Sequence, residues 1–476
     1  MRPVIPSRSF PWGILLILLV TGCQKHRDVR VVNMIPASLS GEANQDSEPK
    51  LTVDLENHRL MVASAFTPNP AGTGSGLAPV YVSQDAGETW TLNNIVPSAG
   101  SLTGTGDITE SATRDQRLYA GILKVPGFLT LNELFTSNFT SATAMTVQAA
   151  RNLVDQPFVN STTVAGSDRV YVGNNDFNAS PRTATVDFSA DGNAPYKSIR
   201  LEPRATSGQD GPSIRVSIAR DETVYGAYFG WRTFSGTIAT ADVVVVRDDH
   251  GATGPTPFQD LKDSGGVSGV FAAHNVTIPW SNAPTLGQER IGSTLSIAVD
   301  PKNSSTVYVA WGDRVGTGDI YTIHVRRSTD RGVSWSSDLR AIVNATNCAL
   351  AVTEDGVVGF LYQQVTGSGP SRWETHLEQS KDAFTTVDDT ILATVPSDVP
   401  VHTFLPYLGD YDFLLAVDDS FRGVFSANNT PDPANFPHGV KYQRMADFST
   451  KTLQNGAGGT VPISIDPFYF RVEAIH

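Results

Sequence analysis

The chain has 476 residues, 40% hydrophobic and only 17% charged, with 41 Gly, 29 Pro and a net charge of −13. Abundant turn residues, few charges and no long helical periodicity exclude a helical bundle and indicate an all-β protein with length enough for a large core. The acidic balance excludes nucleic acid as a partner, and with it electrostatic adhesion to anionic lipid.

Arg2 and Arg8 precede the apolar run Trp12–Val20, which ends at Thr21-Gly22-Cys23. The run is too short to span a bilayer comfortably and has the basic flank and small-residue end of a secretory signal. Val20-Thr21-Gly22-Cys23 resembles the lipobox of bacterial lipoproteins, which implies cleavage after residue 22 and lipidation of Cys23. Each buried acyl CH₂ then adds about 0.8 kcal/mol of membrane affinity. Cleavage takes the 35 basic residues to 33 against 48 acidic ones, a balance of −15. Cys348 is the one other cysteine, so no intramolecular disulfide is expected. Residues 23–47 read as a lipidated tether, and the product as a monomer anchored in the bacterial cell envelope, at the outer membrane or cell surface.

From about residue 48 two markers recur in step. One is a short apolar strand, seen around Leu60, Leu118, Val170, Val224, Val307, Val357 and Val424. The other is a turn position 20 to 25 residues later, at Asp85, Asn138, Asp191, Asp248, Asp330, Asp382 and Asp447. Two copies keep the full form S-x-D-x-G-x-[ST]-W: Ser83, Asp85, Gly87 and Trp90, then Ser328, Asp330, Gly332 and Trp335. In such a turn the Asp accepts downstream backbone N–H groups, Gly takes a positive φ, and Trp opens the next strand. Units spaced by 50–67 residues, with one gap of 83, have the period of β-propeller blades of four antiparallel strands. Seven blades is the expected count and six the alternative, in a single domain over residues 48–476 with an insertion loop near 250–290. The strand-like tail, Pro462–Asp466 and Phe468–Val472, would complete the last blade or pair with the first.

These turns resemble the Asp-box, or BNR, repeats of the sialidase-like superfamily. Leu295–Asp300, Val307–Trp311 and the box at 328–335 together resemble one complete unit, and Asp155-Gln156-Pro157-Phe158 and Leu408–Phe413 resemble strings of secreted bacterial members. The resemblance spans residues 48–470 and implies box aspartates that hold structure at the outer rim. Chemistry is then expected at the axis, where innermost strands begin.

The polar residues just before those strands are Asp107 and Glu110, Asp155 and Gln156, Asp210 and Arg215, Arg290, and Asp410, Tyr411 and Asp412. A glycosidase needs an acid/base carboxyl and a nucleophile, and sialidases use Tyr. Asp410, Tyr411, Asp412 and Asp155 are therefore the catalytic candidates. Binding candidates are Arg215 and Arg290, whose forked guanidinium suits a carboxylate, with Asp210 and Gln156 beside them and Arg151 and Arg204 as further arginines. The family's N-terminal F/Y-R-I-P string is absent, and Arg290-Ile291-Gly292 lies mid-chain, so that role does not transfer. Asp410 and Asp412 as backbone caps, and Arg215 and Arg290 as ion-pair partners of the surplus acids, are the plainer readings.

No H-E-x-x-H, phosphate loop or G-x-S-x-G occurs, so neither a transition metal nor an organic cofactor is expected. Asp-rich turns such as Asp418-Asp419 suit a structural Ca²⁺. Trp231, Trp280 and Trp373 are candidates for stacking on sugar rings. Three functions follow: a propeller that binds a glycan or surface protein at its axial funnel, an exo-acting glycoside hydrolase of sialidase type, or a scaffold in an envelope complex. Convergence of Asp410, Tyr411, Arg215 and Arg290 in one funnel would favour the hydrolase.

Overall fold

The computed structural model describes Met1 and residues 27–476 except 68–76, 98–104, 124–128, 179–182, 207–213, 280–285, 287–288, 290–291, 293, 316–319 and 402–405. The signal segment and Cys23 therefore lie outside the described residues.

Each apolar marker is the second strand of a four-stranded antiparallel sheet, and the described residues form seven such sheets. The innermost strands are Ser47–Val53, Ile108–Ala112, Val154–Val164, Arg215–Ile218, Leu295–Val299, Ala345–Val352 and Phe413–Val417. We number blades 1 to 7 in that order. The period-2 alternation gives every sheet two faces, and both are apolar because each meets a neighbouring blade. Seven buried hydrophobic clusters result, one between each adjacent pair. Val62, Val80 and Ile95 of blade 1 meet Ile108 and Leu118 of blade 2; Leu361 and Trp373 of blade 6 meet Phe421 and Phe468 of blade 7. Each such side chain contributes about 1.5–3 kcal/mol on burial. The clusters are spread around a ring, so no blade holds a core alone.

Hydroxyls lace the inner strands together. Thr52 accepts from Ala112 N, Ser111 from Ser161 N, Ser217 from Val299 N and Ser296 from Leu350 N, all at 2.7–3.0 Å. Each link satisfies an inner-edge backbone N–H that the sheet leaves open.

The ring closes with a segment the sequence reading treats as tether. Val29–Asn33 forms the outermost strand of blade 7, paired from Val29↔Val472 to Asn33↔Phe468. The chain therefore joins the propeller before residue 48, because Val29, Val31 and Val32 have an apolar face to bury there. The tail Ile465–Glu473 is the third strand of blade 7, so it completes the last blade.

Two insertions differ from expectation. The excess near 250–290 includes Val270–Pro279, the outer strand of blade 4, so the extra chain is mainly residues 249–269. A second insertion, residues 429–464, lies within blade 7 and carries the small sheet Met445–Asp447, Thr452–Gln454 and Thr460–Val461. It braces the closure: Lys441 N donates to Val31 O, and the buried Arg444 pairs with Asp466 while donating to Glu42 O. Asp46, Glu42 and Asp466 are buried around that one guanidinium. Burial holds the Asp46 carboxyl well above its usual range and that of Glu42 at about 7.

The boxes join third to fourth strands at the outer rim. In blade 5, Ser328 Oγ accepts from Gly332 N at 2.8 Å and donates to Asp330, whose Oδ1 accepts from Ser334 N at 2.9 Å. Ser83, Gly87, Asp85 and Thr89 repeat this in blade 1. The worn copy in blade 6 keeps it too, through Ser380, Asp382 and Thr386, with Phe384 at φ +63 in the glycine position. Glycine is compulsory at 87: φ is +87, and a Cβ would lie 2.2 Å from the Tyr469 ring. Two assignments need correction. Asp248 occupies the serine slot, accepting from His250 N and Ala252 N, so that box is two residues out of step. Asp447 caps the hairpin of the insertion and belongs to no box.

Candidate functional site

Arg215 opens the inner strand of blade 4, and Tyr411 and Asp412 directly precede that of blade 7, so the topology brings all three to the axis. Arg215 is 5% exposed. Its guanidinium lies 3.8 Å from the centre of the Phe158 ring and 5.4 Å from that of Tyr411. Nε donates to Leu295 O at 3.2 Å, while Nη2 is buried with no partner among the described residues. No carboxylate forms an ion pair with Arg215 there, so the expected pairing with surplus acids does not occur. Burial lowers its pKa to about 10.

Tyr411 packs edge-on to Phe158 with ring centres 6.0 Å apart, and its hydroxyl donates to Ile108 O at 3.4 Å. Burial, followed by the charges of Glu48 and Asp107, pushes the phenol well above its ordinary range. Such a phenol stays protonated and is a poor nucleophile without a base. Asp412 Oδ1 accepts from Ser426 N at 3.2 Å, Oδ2 has no partner among the described residues, and burial holds the carboxyl well above its usual range. Asp410 is fully buried, and its backbone N–H donates to Glu48 Oε1 at 3.3 Å. Asp155 caps Gln156 N at 2.9 Å where the strand bulges, with Gln156 at φ +55.

The sequence reading passes over a cation here. Lys50, 1% exposed, donates to Val159 O and lies 4.2 Å and 5.0 Å from the Phe158 and Phe413 ring centres. Burial lowers the Lys50 pKa to about 7 and raises that of the fully buried Glu110 to about 8, with the charge of each opposing the other's shift. A lysine at an inward position of an inner strand was the available signal. Together Lys50, Glu110, Glu48 and Asp410 form a buried polar layer where the inner strands begin.

Below that layer lies a cavity of about 270 Å³ lined by Phe158, Arg215, Cys348, Tyr411 and Asp412 at its upper end. Asn160, Ser161 and Leu415 also line a second cavity of about 630 Å³ where the inner strands end, so the two adjoin along the axis. Around the lower mouth stand Asp54, Glu354, Asp355, Asp418 and Asp419, with His58 and Arg220. Among the described residues, the expected axial space is thus found on the side where inner strands end.

Other candidates fall elsewhere. Arg290, Asp210 and Trp280 lie outside the described residues. Arg151 bridges Asp176 and Asp187 at blade 3, and Arg204 pairs with Glu202 and Asp263 at blade 4. Neither joins Arg215. Trp231 and Trp373 are buried between blades and offer no stacking platform. Asp418 accepts from His58 Nδ1 at 2.9 Å. Asp248, His250 and Asp260 have oxygens and a ring nitrogen within 4.8 Å of one another. The Asp248 oxygens, however, already accept three backbone N–H bonds, which is a turn-holding role.

No family model matches the chain, and no curated protein does. Among solved structures it is similar to a protein of unknown function from Dyadobacter fermentans, at 10% identity and a TM-score of 0.42, covering 94% of this chain and 99% of that one. It is also similar to the phage phi92 endosialidase, at 12% identity and a TM-score of 0.40, covering 94% and 70%. The α-L-arabinofuranosidase Arb93A of Fusarium graminearum matches at 12% and 0.39, covering 92% and 97%. At these values the likenesses carry no argument about the site. The seven sheets themselves establish the propeller.

Proposed function

We propose that this chain is an exported propeller, lipid-anchored at Cys23, that binds a carboxylate-bearing glycan or surface-protein ligand at its axis without transforming it. The observation that supports this reading is Arg215: a buried guanidinium with no ion-pair partner among the described residues, and with Nη2 unsatisfied, on the wall of the axial cavity. Burying a charge unpaired costs several kcal/mol, and a site built to receive an anion recovers that cost on binding. The acid/base arrangement of a retaining hydrolase lacks comparable support. Of the four catalytic candidates only Tyr411 and Asp412 line the cavity, with the Tyr411 phenol pushed well above its ordinary range, while Asp155 caps a backbone N–H.

The test pairs calorimetric titration of acidic oligosaccharides and peptides with a fluorogenic glycoside screen that includes a sialoside. Binding of a carboxylate-bearing ligand that Arg215→Met abolishes, with no turnover, is the expected result. Turnover that Tyr411→Phe removes would overturn the non-catalytic reading in favour of the hydrolase.

A further inference from the structure

The two ends of the axial cavity differ in charge. Its upper end holds Arg215, 5% exposed with an Nη2 that has no partner among the described residues. Its lower mouth has five carboxylates facing one arginine and one histidine. There the arginine is already matched, since Arg220 pairs with Glu354, and His58 is matched by Asp418. The Asp54 oxygens accept from Glu56, Asn57 and Gln116 backbone N–H groups. Asp355 and Asp419 face solvent: Asp355 is 77% exposed in a long ion pair of 3.9 Å with Lys302, and Asp419 is exposed. Along blade 4 the chain runs five residues from Arg215 to Arg220 at this mouth, about 16 Å at a strand's rise per residue. Between the ends the wall alternates apolar and hydroxyl groups, Ile297 with Ser296 and Ile218 with Ser217.

We infer that the axial site takes an elongated dipolar ligand, a short peptide with its C-terminal carboxylate at Arg215 and its ammonium terminus at Asp355 and Asp419. This rests on the axial-binding reading above and specifies its ligand. A carboxylate inserted first meets the buried cation, where desolvation makes the attraction strong. The opposite end stays near water, where a charge contact is worth much less. An extended chain of four residues reaches about 13–14 Å, close to that separation.

Titration calorimetry with tetra-alanine, its N-acetyl form and its C-terminal amide tests the inference on the protein as it is. The free peptide is expected to bind at millimolar concentration or below. N-acetylation should weaken it about three- to five-fold, the range of an exposed charge contact, and the double variant Asp355→Asn/Asp419→Asn should match that loss with the free peptide. Amidation of the carboxyl terminus should weaken binding on the order of 30-fold or more. If N-acetylation changes nothing while amidation abolishes binding, the dipolar inference fails and the Arg215 reading survives. If the amide binds as well as the acid, the Arg215 reading itself fails. Absence of binding by the free peptide at millimolar concentration overturns the peptide assignment. Asp191→Asn/Asp382→Asn, two exposed box acids, is the control and should leave binding unchanged; an equal loss there would show only diffuse attraction to an acidic protein.

Discussion

The rim and the axis use the same residue types to opposite ends. At the rim, Asp330, Ser328 and Ser334 satisfy one another and the turn backbone, and their hydrogen bonds hold the Asp330 carboxyl below its usual range. At the axis, Arg215 Nη2 and Asp412 Oδ2 are buried without hydrogen-bond partners among the described residues. A satisfied polar group serves its own turn and has little left to offer a ligand. An unsatisfied one costs stability, and evolution retains such a cost where something is gained by it. The most recognisable motif of this chain is therefore structural, and the least recognisable residues are the functional candidates.

Five substitutions would break or sharpen that contrast. Arg444→Met should be the most damaging, because it strands Glu42, Asp46 and Asp466 beside the closing strand. A loss of about 3–5 kcal/mol in denaturant unfolding is expected. Gly87→Ala should cost about 3 kcal/mol, from a positive φ together with a clash on Tyr469. Gly332→Ala should cost less, since its Cβ would meet only the flexible end of Leu261 at 2.9 Å. Equal losses would show that the turn conformation alone decides.

Glu110 gives a pH signature. Its native pKa is raised from 4.5 to about 8, so the folded state holds a proton that the unfolded state has released. Its contribution to stability is full below pH 4.5 and is lost as pH rises through 8. Unfolding free energy should fall across that window by up to a few kcal/mol, and Glu110→Gln should flatten the fall. An unchanged slope in the variant would assign the effect to another group, with Glu133, raised to about 9, next in line. Smallest of all, Asp447→Ala should leave the thermal midpoint of the ring nearly unchanged, because that side chain caps only the hairpin of the insertion. A loss matching Asp330→Ala would restore it as a seventh box.

How much of this was legible follows from the physics of each region. The second-strand markers and the boxes at Asp85, Asp330 and Asp382 were readable because a local turn needs fixed spacing and fixed residue types, whereas Asn138 and Asp191 accept from the N–H two residues on and hold simpler turns. Asp248 slipped by two residues because Asp can replace Ser as the acceptor, a change that spacing alone does not reveal. Val29–Asn33 was hidden because its partner Phe468–Val472 is more than 430 residues away, and a five-residue apolar stretch has no local sign of pairing. Arg215, Tyr411 and Asp412 were legible as polar residues at inner-strand starts. Their states were not: burial, the Phe158 ring and the absence of an ion pair come from seven blades meeting at one axis.

The thermal midpoint of Arg215→Met tests the central claim most directly. If Arg215 is kept for a ligand, removing its unpaired buried charge should leave the ligand-free protein as stable as wild type or up to about 2 kcal/mol more so. A loss comparable to that of Arg444→Met would make Arg215 part of the framework and contradict the account.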